Sequence, residues 1–279
     1  MGSLVVRLNT AVLRQQFSEK TMSKDRTPIN TNSLTEDMLL DGRVKLAQPV
    51  DGLRTAIDAV LLAASVPVKA GQHVLDLGCG AGAVSLCLAS RAPRCAIVAV
   101  DIEPSLTDCA ASNFANNGMA DRVVAACADI LSLPFAPGSF DQVAMNPPYF
   151  QAGLASEPKG RLRRLASIEG AAVLSDWIAA AMLQARTSGC VTIVHRADRL
   201  DEVIAGFTRH QIGGLKATPI WSKHGASASR VIVQCRKGDR RPFELSPGIV
   251  MHNREGRYTT AASHVLRDGW ALEDAISTL

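Results

Sequence analysis

Short apolar runs alternate with longer runs of helical periodicity from about residue 41 onward. The apolar runs are QHVLDL (72–77), CAIVAVD (95–101), RVVAACAD (122–129), FDQVAMN (140–146) and GCVTIVHR (189–196). The runs of helical period are AVSLCLASRA (83–92), the segment from Pro104 to the Asn117-Gly118 turn signal, SDWIAAAMLQA (175–185) and RLDEVIAGFTRH (199–210). This alternation predicts successive βαβ units around a parallel sheet.

The last two apolar runs follow a different pattern. LKATPIW (215–221) and SRVIVQCR (229–236) flank the short polar segment SKHGASA. This spacing predicts a hairpin-like antiparallel unit at the edge of the sheet. The expected fold is therefore α/β, with a doubly wound, mostly parallel seven-stranded sheet and an antiparallel edge strand. Ligands bind such sheets at the carboxyl ends of the strands.

Composition places the chain among ordinary globular proteins. Of its 279 residues, 47% are hydrophobic and 20% charged, and the net charge of +4 permits a nucleic-acid partner without demanding one. Seven scattered cysteines without a C-x-x-C pair indicate a reduced, cytoplasmic protein, and no metal-ligand spacing or membrane-length apolar run occurs. Residues 1–37 are expected to form a flexible extension, and residues 38–279 a single domain.

The first predicted strand runs into a glycine-rich loop. VLDLGCGAGAV (74–84) contains Gly78, Gly80 and Gly82, which allow a sharp turn and a close approach of the backbone to a ligand. The following helix directs its N-terminus to the same place and favours an anionic group. The loop alone also fits the looser dinucleotide pattern, so it does not identify the ligand.

An acidic side chain ends the second predicted strand. In the sequence Val100-Asp101-Ile102-Glu103, Asp101 is placed to accept hydrogen bonds from the two hydroxyl groups of a ribose. Ile102 is assigned to the same cofactor site. Glu103 is expected to be a solvated charge at the start of the next helix.

The fourth strand ends in a rigid corner, AMNPPYF (144–150). The Asn146 side-chain oxygen and the Pro147 carbonyl can each accept a hydrogen bond from a planar amino group, and the prolines hold these acceptors rigidly. Such bonding frees the nitrogen lone pair for attack. Tyr149 and Phe150 offer faces on which a planar group can stack. A simpler interpretation is a rigid turn with a packed tyrosine.

A basic loop, PKGRLRRLAS (158–167), follows the corner. Its cationic residues are Lys159, Arg161, Arg163 and Arg164. Beside a cleft that holds a base, they would grip phosphates with salt-sensitive affinity. A solvated charged loop is an equally good interpretation.

These motifs together resemble a known family. The segment from Asp76 to Gly82 resembles the first motif of S-adenosylmethionine (SAM) methyltransferases, and the corner resembles that of the NPPY-type N-methyltransferases. Three further segments are similar to the bacterial tRNA1(Val) adenine N6-methyltransferases: LDGRVKLAQPVDGLRTAIDAVLLAASV (40–66), PIWSKHGASASRVIVQCRK (219–237) and REGRYTTAASHVLR (254–267). The resemblance covers roughly residues 38 to 270 and implies a Rossmann-like methyltransferase fold with SAM as cofactor.

The resemblance also implies roles for individual residues. The segment before the glycine loop closes over the methionine end of SAM in this family, and the matching residues are Gln48, Arg54, Thr55 and Asp58. Asp129 and Ile130 match the segment that lies along the adenine. Three of these assignments have a plain structural alternative: Arg54 pairs with a neighbouring acid, Asp58 caps a helix, or Asp129 caps a loop.

The function expected from these features is methylation of an exocyclic amine, most simply adenine N6 of a tRNA. One alternative is a release-factor-type protein glutamine N5-methyltransferase, which uses the same corner but normally carries an N-terminal helical domain. The others are a guanine N2-methyltransferase acting on rRNA and a non-catalytic RNA-binding module. The oligomeric state is not predicted by any of these features.

Overall fold

The computed structural model describes residues 34–52, 54, 57–151, 153, 160–210 and 214–278. This part of the chain opens with an antiparallel hairpin of β1 (Leu34–Leu39) and β2 (Val44–Pro49). In β2, Val44 and Leu46 are buried while Lys45 is exposed, so one face of the hairpin packs on the core. The hairpin takes in residues 34–37, which the sequence assigned to the end of the flexible extension.

A nine-stranded, mostly parallel sheet forms the centre of the protein. Its strands are β3 (His73–Leu77), β4 (Ala96–Asp101), β5 (Val123–Cys127), β6 (Phe140–Met145), β7 (Ala185–Arg196), β8 (Lys216–Lys223), β9 (Ala228–Arg236), β10 (Glu244–Leu245) and β11 (Ile249–His252). Their spatial order is β10-β8-β9-β7-β6-β3-β4-β5, and β11 also pairs with β8. β6 is buried along its whole length, as expected for a parallel strand covered on both faces.

Helices cover both faces of the sheet. They are α1 (Ile57–Ser65), α2 (Ala83–Arg91), α3 (Pro104–Asn116), α4 (Arg161–Ser167), α5 (Leu174–Gln184), α6 (Leu200–Thr208), α7 (Thr260–Ser263) and α8 (Leu272–Ile276). The apolar residues of α1, α2 and the C-terminal helices form one core cluster, and those of α5 and α6 form a second with the opposite face of the sheet. The predicted doubly wound α/β fold is confirmed.

Two details of the sheet differ from the sequence prediction. β10 and β11 extend it beyond the seven predicted strands by pairing in parallel with β8. The antiparallel strand β9 therefore lies inside the sheet, between β7 and β8, rather than at its edge. The two added strands span only two and four residues and flank Pro247-Gly248, so they are too short to show a period-two pattern.

All seven cysteines are free, and six of them are buried. Within the described residues, no helix is long and apolar enough to cross a membrane. In the same part of the chain, no group of three or more histidine, cysteine or acidic side chains is arranged to hold a metal ion.

Candidate active site

Three strand ends with candidate site residues meet at one edge of the sheet. Leu77, the last residue of β3, is paired with Met145 of β6 on one side and Val100 of β4 on the other. Neighbouring strands lie about 4.8 Å apart. Gly78 and Asn146, which directly follow β3 and β6, therefore lie side by side at the carboxyl edge, next to the end of β4.

The glycine loop uses its three glycines in two different ways. All three have positive φ, at 73° for Gly78, 54° for Gly80 and 90° for Gly82. A Cβ atom at Gly78 would lie 2.6 Å from the ring of Trp177, and one at Gly82 would lie 2.6 Å from the ring of Phe114. Around Gly80 no atom of the described residues lies within 4 Å of the Cβ position. Gly78 and Gly82 are thus required by packing, whereas Gly80 borders open space that a ligand can enter.

The Asp101 carboxylate is bound to the backbone on both oxygens. Its Oδ2 accepts a hydrogen bond from Gly80 N at 2.8 Å, and its Oδ1 accepts one from Glu103 N at 2.9 Å. Burial raises the pKa of Asp101, although these backbone hydrogen bonds act against the shift. Each carboxylate oxygen has a second lone pair. Asp101 can therefore hold the glycine loop and still accept hydroxyl groups from a ribose.

Asp76 lies beneath the loop, with only 2% of its surface exposed. Its Oδ2 accepts a hydrogen bond of 2.6 Å from Ser85 Oγ in α2. Burial raises the pKa of Asp76 to about 6, and the hydrogen bonds from Ser85 only partly oppose this rise. The hydrogen bond between Asp76 and Ser85 thus joins β3 to α2, the helix after the loop.

The Asp76→Asn variant is expected to gain stability relative to the wild type as the pH rises. Because the folded pKa of Asp76 lies near 6, above its ordinary value of 3.8, the folded protein retains a proton that the unfolded chain releases. The stabilisation from this proton is complete below pH 3.8 and is lost as the pH rises through about 6, a difference of up to about 3 kcal/mol. Urea unfolding of both proteins at about pH 5 and about pH 8 should show about 1.4 kcal/mol of this difference, because the unfolded chain has already lost most of its proton at pH 5. A free-energy difference that is the same at both pH values would contradict the assignment.

At the NPPY corner, the Asn146 side-chain oxygen is buried and has no hydrogen-bond partner among the residues that the structure describes. Pro147 is also buried, next to it in the chain. A buried carbonyl-type oxygen without a partner costs about 1–3 kcal/mol. Asn146 therefore presents an acceptor that a ligand donor would satisfy.

Tyr149 is held by two residues that are distant in sequence. The Tyr149 hydroxyl donates to Asp58 Oδ2 at 2.8 Å. Asp58 Oδ2 also accepts a hydrogen bond from Arg230 Nε at 3.0 Å. The Arg230 guanidinium carbon lies 4.6 Å from the centroid of the Tyr149 ring. Burial and then the negative charge of Asp58 raise the pKa of Tyr149, so its hydroxyl keeps its proton. We refer to Asp58, Tyr149 and Arg230 as the tyrosine clamp.

Two residues at the end of β7 and just after it, His195 and Arg199, contact the NPPY corner. Arg199 NH1 donates to the Tyr149 carbonyl at 3.2 Å and pairs with the buried Glu169 at 2.7 Å. His195 is fully buried, with a ring centroid 5.5 Å from that of Tyr149. Burial and then the positive charge of Arg199 lower the pKa of His195 to about 4. His195 is therefore a neutral packing partner of the corner near pH 7.

The segment before the glycine loop is bound to the loop through Asn113 of α3. The Asn113 side chain accepts from Ala47 N and donates to the carbonyls of Ala47 and Ala81. Near the end of β2, the buried Gln48 donates to Asp37 at 2.7 Å, and Arg54 pairs with the same carboxylate at 2.5 Å. These contacts place the hairpin against the loop.

Arg54, one of the residues matched to the methionine end of SAM, pairs with Asp37. This is the structural alternative that the sequence left open for it. Asp58 lies in the first turn of α1 and belongs to the tyrosine clamp. Thr55 lies outside the described residues.

The residues assigned to the adenine side of the cofactor lie just after β4 and β5, and they differ in exposure. Ile102 is 58% exposed, and Ile130 is buried in the core cluster. Asp129 Oδ1 accepts from Leu131 N at 2.9 Å and so caps a short 3-10 turn, which was its structural alternative. An exposed apolar side chain such as Ile102 offers a surface to an adenine ring.

The basic loop is more ordered than the sequence indicated, because residues 161–167 form the helix α4. Arg161 pairs with Glu103 at 2.5 Å, and Arg163 donates to the Gly52 carbonyl at 3.4 Å. Arg164 lies in the same helix, and Lys159 lies outside the described residues. Phe150 forms an isolated β-bridge with Ile168, the residue just after α4. The Arg196 guanidinium carbon lies 4.7 Å from the centroid of the Phe150 ring.

The expectation that Glu103 is a solvated charge is wrong. Glu103 caps α3 and is only 7% exposed. Burial on its own would raise the pKa of Glu103, but the hydrogen bonds from Arg161 and Ser105, together with the charge of Arg161, outweigh burial and lower it. The ion pair thus joins α4 to the tip of β4, close to the site assigned to the ribose.

Comparison with known proteins agrees with this geometry. Residues 55–164 match the family model described as the methyltransferase small domain. A tRNA1(Val) (adenine(37)-N6)-methyltransferase from Porphyromonas gingivalis is 28% identical over 233 residues, which cover 78% of this chain and 88% of the relative. The enzyme of the same name from Aeromonas hydrophila is 28% identical, over 74% of this chain and 86% of its own.

Among solved structures, a protein described as a predicted O-methyltransferase from Agrobacterium tumefaciens has a similar fold. It superposes with a TM-score of 0.64 at 24% identity, covering 77% of this chain and 97% of its own. At that level of identity the likeness concerns the fold, and the chemistry has to be inferred from the residues.

Proposed function

We propose that this chain, a SAM-dependent methyltransferase with a methyltransferase small domain at residues 55–164, methylates the N6 atom of an adenine in a tRNA. One observation carries the proposal: the Asn146 oxygen is buried, has no partner within the described part of the chain, and lies at the sheet edge beside the glycine loop. An exocyclic amino group has the hydrogen atoms that this oxygen can accept. The adenine and the tRNA are suggested by the names of the similar enzymes.

The residues around the loop fit the cofactor. We assign the ribose to Asp101, the space beside the loop to Gly80, and the surface for the adenine to Ile102. Gln48, Arg54 and Asp58 remain proposed neighbours of the methionine end. When bound, SAM supplies a methyl group on a positively charged sulfur.

The corner prepares the target amine. The Asn146 oxygen and the Pro147 carbonyl accept one hydrogen each, which draws the nitrogen toward a tetrahedral shape and frees its lone pair from the ring. Positioning then supplies most of the rate enhancement, because attack requires the nitrogen in line with the methyl group. A strong base is not required, since the methylated nitrogen is cationic and readily loses a proton.

The tyrosine clamp limits where the target base can stack. Because the Arg230 guanidinium covers one face of Tyr149, a base can stack on the other face of the ring or on the outer face of the guanidinium. Both aromatic rings and guanidinium planes serve as stacking surfaces for unpaired bases. The clamp therefore fixes the plane of the base while Asn146 fixes its amino group.

The Arg230→Lys variant is expected to lower kcat/KM for the RNA on the order of tenfold. Lysine keeps the positive charge beside Asp58 but loses the planar contact with Tyr149, which contributes about 0.5–2 kcal/mol. Steady-state kinetics with the RNA varied measure the change, and calorimetry should show unaltered SAM binding. The exposed Arg209 gives a matched control, because its change to lysine touches no part of the clamp. Equal kcat/KM values for the two variants would show that the clamp does not position the base.

The proposed substrate is tested by methyl transfer from labelled SAM to unmodified tRNA, with ribosomal RNA and a protein fraction of the same cells assayed in parallel. Digestion of the tRNA to nucleosides should yield label in N6-methyladenosine. Label in N2-methylguanosine, or label that protease removes while nuclease does not, would replace the proposed substrate with a guanine or a glutamine side chain. SAM binding without any transfer would contradict catalysis altogether.

A further inference from the structure

A pocket of about 500 Å³ lies near the C-terminus, outside the candidate active site. It is lined by His252, Gly256, Arg257, Tyr258, Ser263 and Arg267. The strand β11 leads into it, and β11 is parallel to β8, with His252 opposite Lys223. Because β8 and β6 run in the same direction within the sheet, the lining residue His252 lies at the same carboxyl edge as Asn146.

The lining of this pocket combines positive charge with aromatic rings. Arg257 and Arg267 are both exposed, and no acidic side chain is among the lining residues. The rings of His252 and Tyr258 are stacked, with centroids 4.9 Å apart and an angle of 26° between their planes. Arginine binds phosphate through paired donors, and aromatic rings stack on bases. These are the two contacts that a nucleotide of an RNA strand needs.

Hydrogen bonds between side chains and the backbone hold the pocket in this shape. The Asn253 side chain accepts from Arg257 N at 3.0 Å and from Glu255 N at 3.1 Å, which fixes the turn that carries Arg257. Thr259 caps α7 by accepting from Ala262 N at 3.1 Å, and Arg43 donates to the carbonyl of Arg267. The two arginines therefore project from an ordered frame, so little ordering is needed when a ligand binds.

The pocket lies at a distance from the NPPY corner that an RNA substrate can span. Four strand steps separate β6 from β11, by way of β7, β9 and β8. At about 4.8 Å per step, the separation is roughly 19 Å, or the length of a few nucleotides. Between the two sites the same edge presents the exposed Lys223, which adds positive charge along the path.

We infer that this pocket binds a phosphate and base of the substrate RNA several nucleotides away from the methylated one. The inference rests on the proposed function, because it supplies the anchor that a methyltransferase acting on a folded RNA requires. The other arginine cluster after the corner is less suited to this role, since Arg161 is already paired with Glu103. Arg257 and Arg267 pair with no acidic side chain in the part of the chain that the structure describes.

The test compares two double variants of the full-length protein. Arg257→Ala/Arg267→Ala removes the two pocket arginines, and Arg209→Ala/Arg240→Ala removes two exposed arginines near the opposite, amino edge of the sheet. Affinity for unmodified tRNA is measured at several salt concentrations, and SAM binding by calorimetry confirms that both variants are folded. The pocket variant should bind tRNA on the order of tenfold more weakly. For the pocket variant, the slope of log affinity against log salt concentration should be shallower than that of the wild type by roughly two.

The outcomes separate this inference from the proposed function. If the control variant loses as much affinity and slope as the pocket variant, or if the pocket variant binds like the wild type, the inference is overturned even when adenine methylation is observed. If the wild type binds tRNA and only the pocket variant loses affinity, the inference is supported even when the methylated atom is not adenine N6. A wild type that does not bind tRNA at all would overturn it as well.

Discussion

The Asn146→Ala variant should bind SAM as tightly as the wild type and lose about 2.7–4 kcal/mol of catalysis, or 10²–10³-fold in kcat, as when one fixed polar group is removed from other active sites. The reason is local. The Asn146 oxygen is buried and has no partner among the described residues, so its deletion removes no hydrogen bond from the described protein. Single-turnover methyl transfer at saturating RNA measures the chemical step, and calorimetry measures SAM binding.

The Asn146→Asp variant provides the matched control. Aspartate has nearly the same shape and keeps an acceptor oxygen in place, so it should recover part of the rate that alanine loses. Urea unfolding with equal midpoints for the three proteins would exclude a loss of structure. If the aspartate and alanine variants were equally slow, acceptance by the Asn146 oxygen would not be its role. If alanine left turnover unchanged, Asn146 would have no part in the reaction.

The sequence was most informative where one short segment contains both a strand and the site residue at its carboxyl end. The strands β3, β4 and β6 come from mostly apolar runs: a glycine directly follows β3, an aspartate ends β4, and an asparagine directly follows β6. Because parallel strands share a direction, their ends had to meet at one edge. The glycine loop, Asp101 and Asn146 could therefore be brought together before any coordinates, and the parallel order of β4, β3 and β6 agrees with that placement.

The contacts that sequence reasoning missed join residues far apart in the chain. Tyr149 and Asp58 are 91 positions apart, and Arg230 and Asp58 are 172 apart. Nothing in the pattern around Arg230 distinguishes it from any arginine at the start of a strand. Its role depends on β9 lying next to β7, a pairing that the local sequence does not specify. Such pairs are found only when the sheet order is known.

Glu103 shows the same limit in a single residue. At the start of a helix, an acidic residue is stabilised in solvent by the exposed backbone N–H groups, so exposure was the natural expectation. The structure buries it because α4, more than fifty positions later in the chain, supplies Arg161 as a partner. The length of the basic loop gave no indication that part of it would fold into a helix over the tip of β4.

The Asp101→Asn variant should show the opposite pattern to Asn146→Ala, with weaker SAM binding and little change in kcat once SAM is saturating. Hydrogen bonds to a charged group contribute about 1.5–3 kcal/mol, so the dissociation constant for SAM should rise roughly 10- to 150-fold. Asparagine is not a mild replacement here. Because Gly80 N and Glu103 N each donate to a different carboxylate oxygen, the new amide nitrogen must face one of these donors.

The Asp101→Ala variant separates the two contributions. If asparagine weakens SAM binding more than alanine does, disturbance of the glycine loop by the amide nitrogen dominates. If alanine is at least as harmful, the lost acceptors for the ribose dominate. Calorimetry with SAM and with methionine alone sharpens the assignment, since a ribose contact predicts that methionine binding is unaffected. Unchanged affinity for SAM in both variants would place the ribose elsewhere on the carboxyl edge, and the geometry proposed for methyl transfer at Asn146 would fail with it.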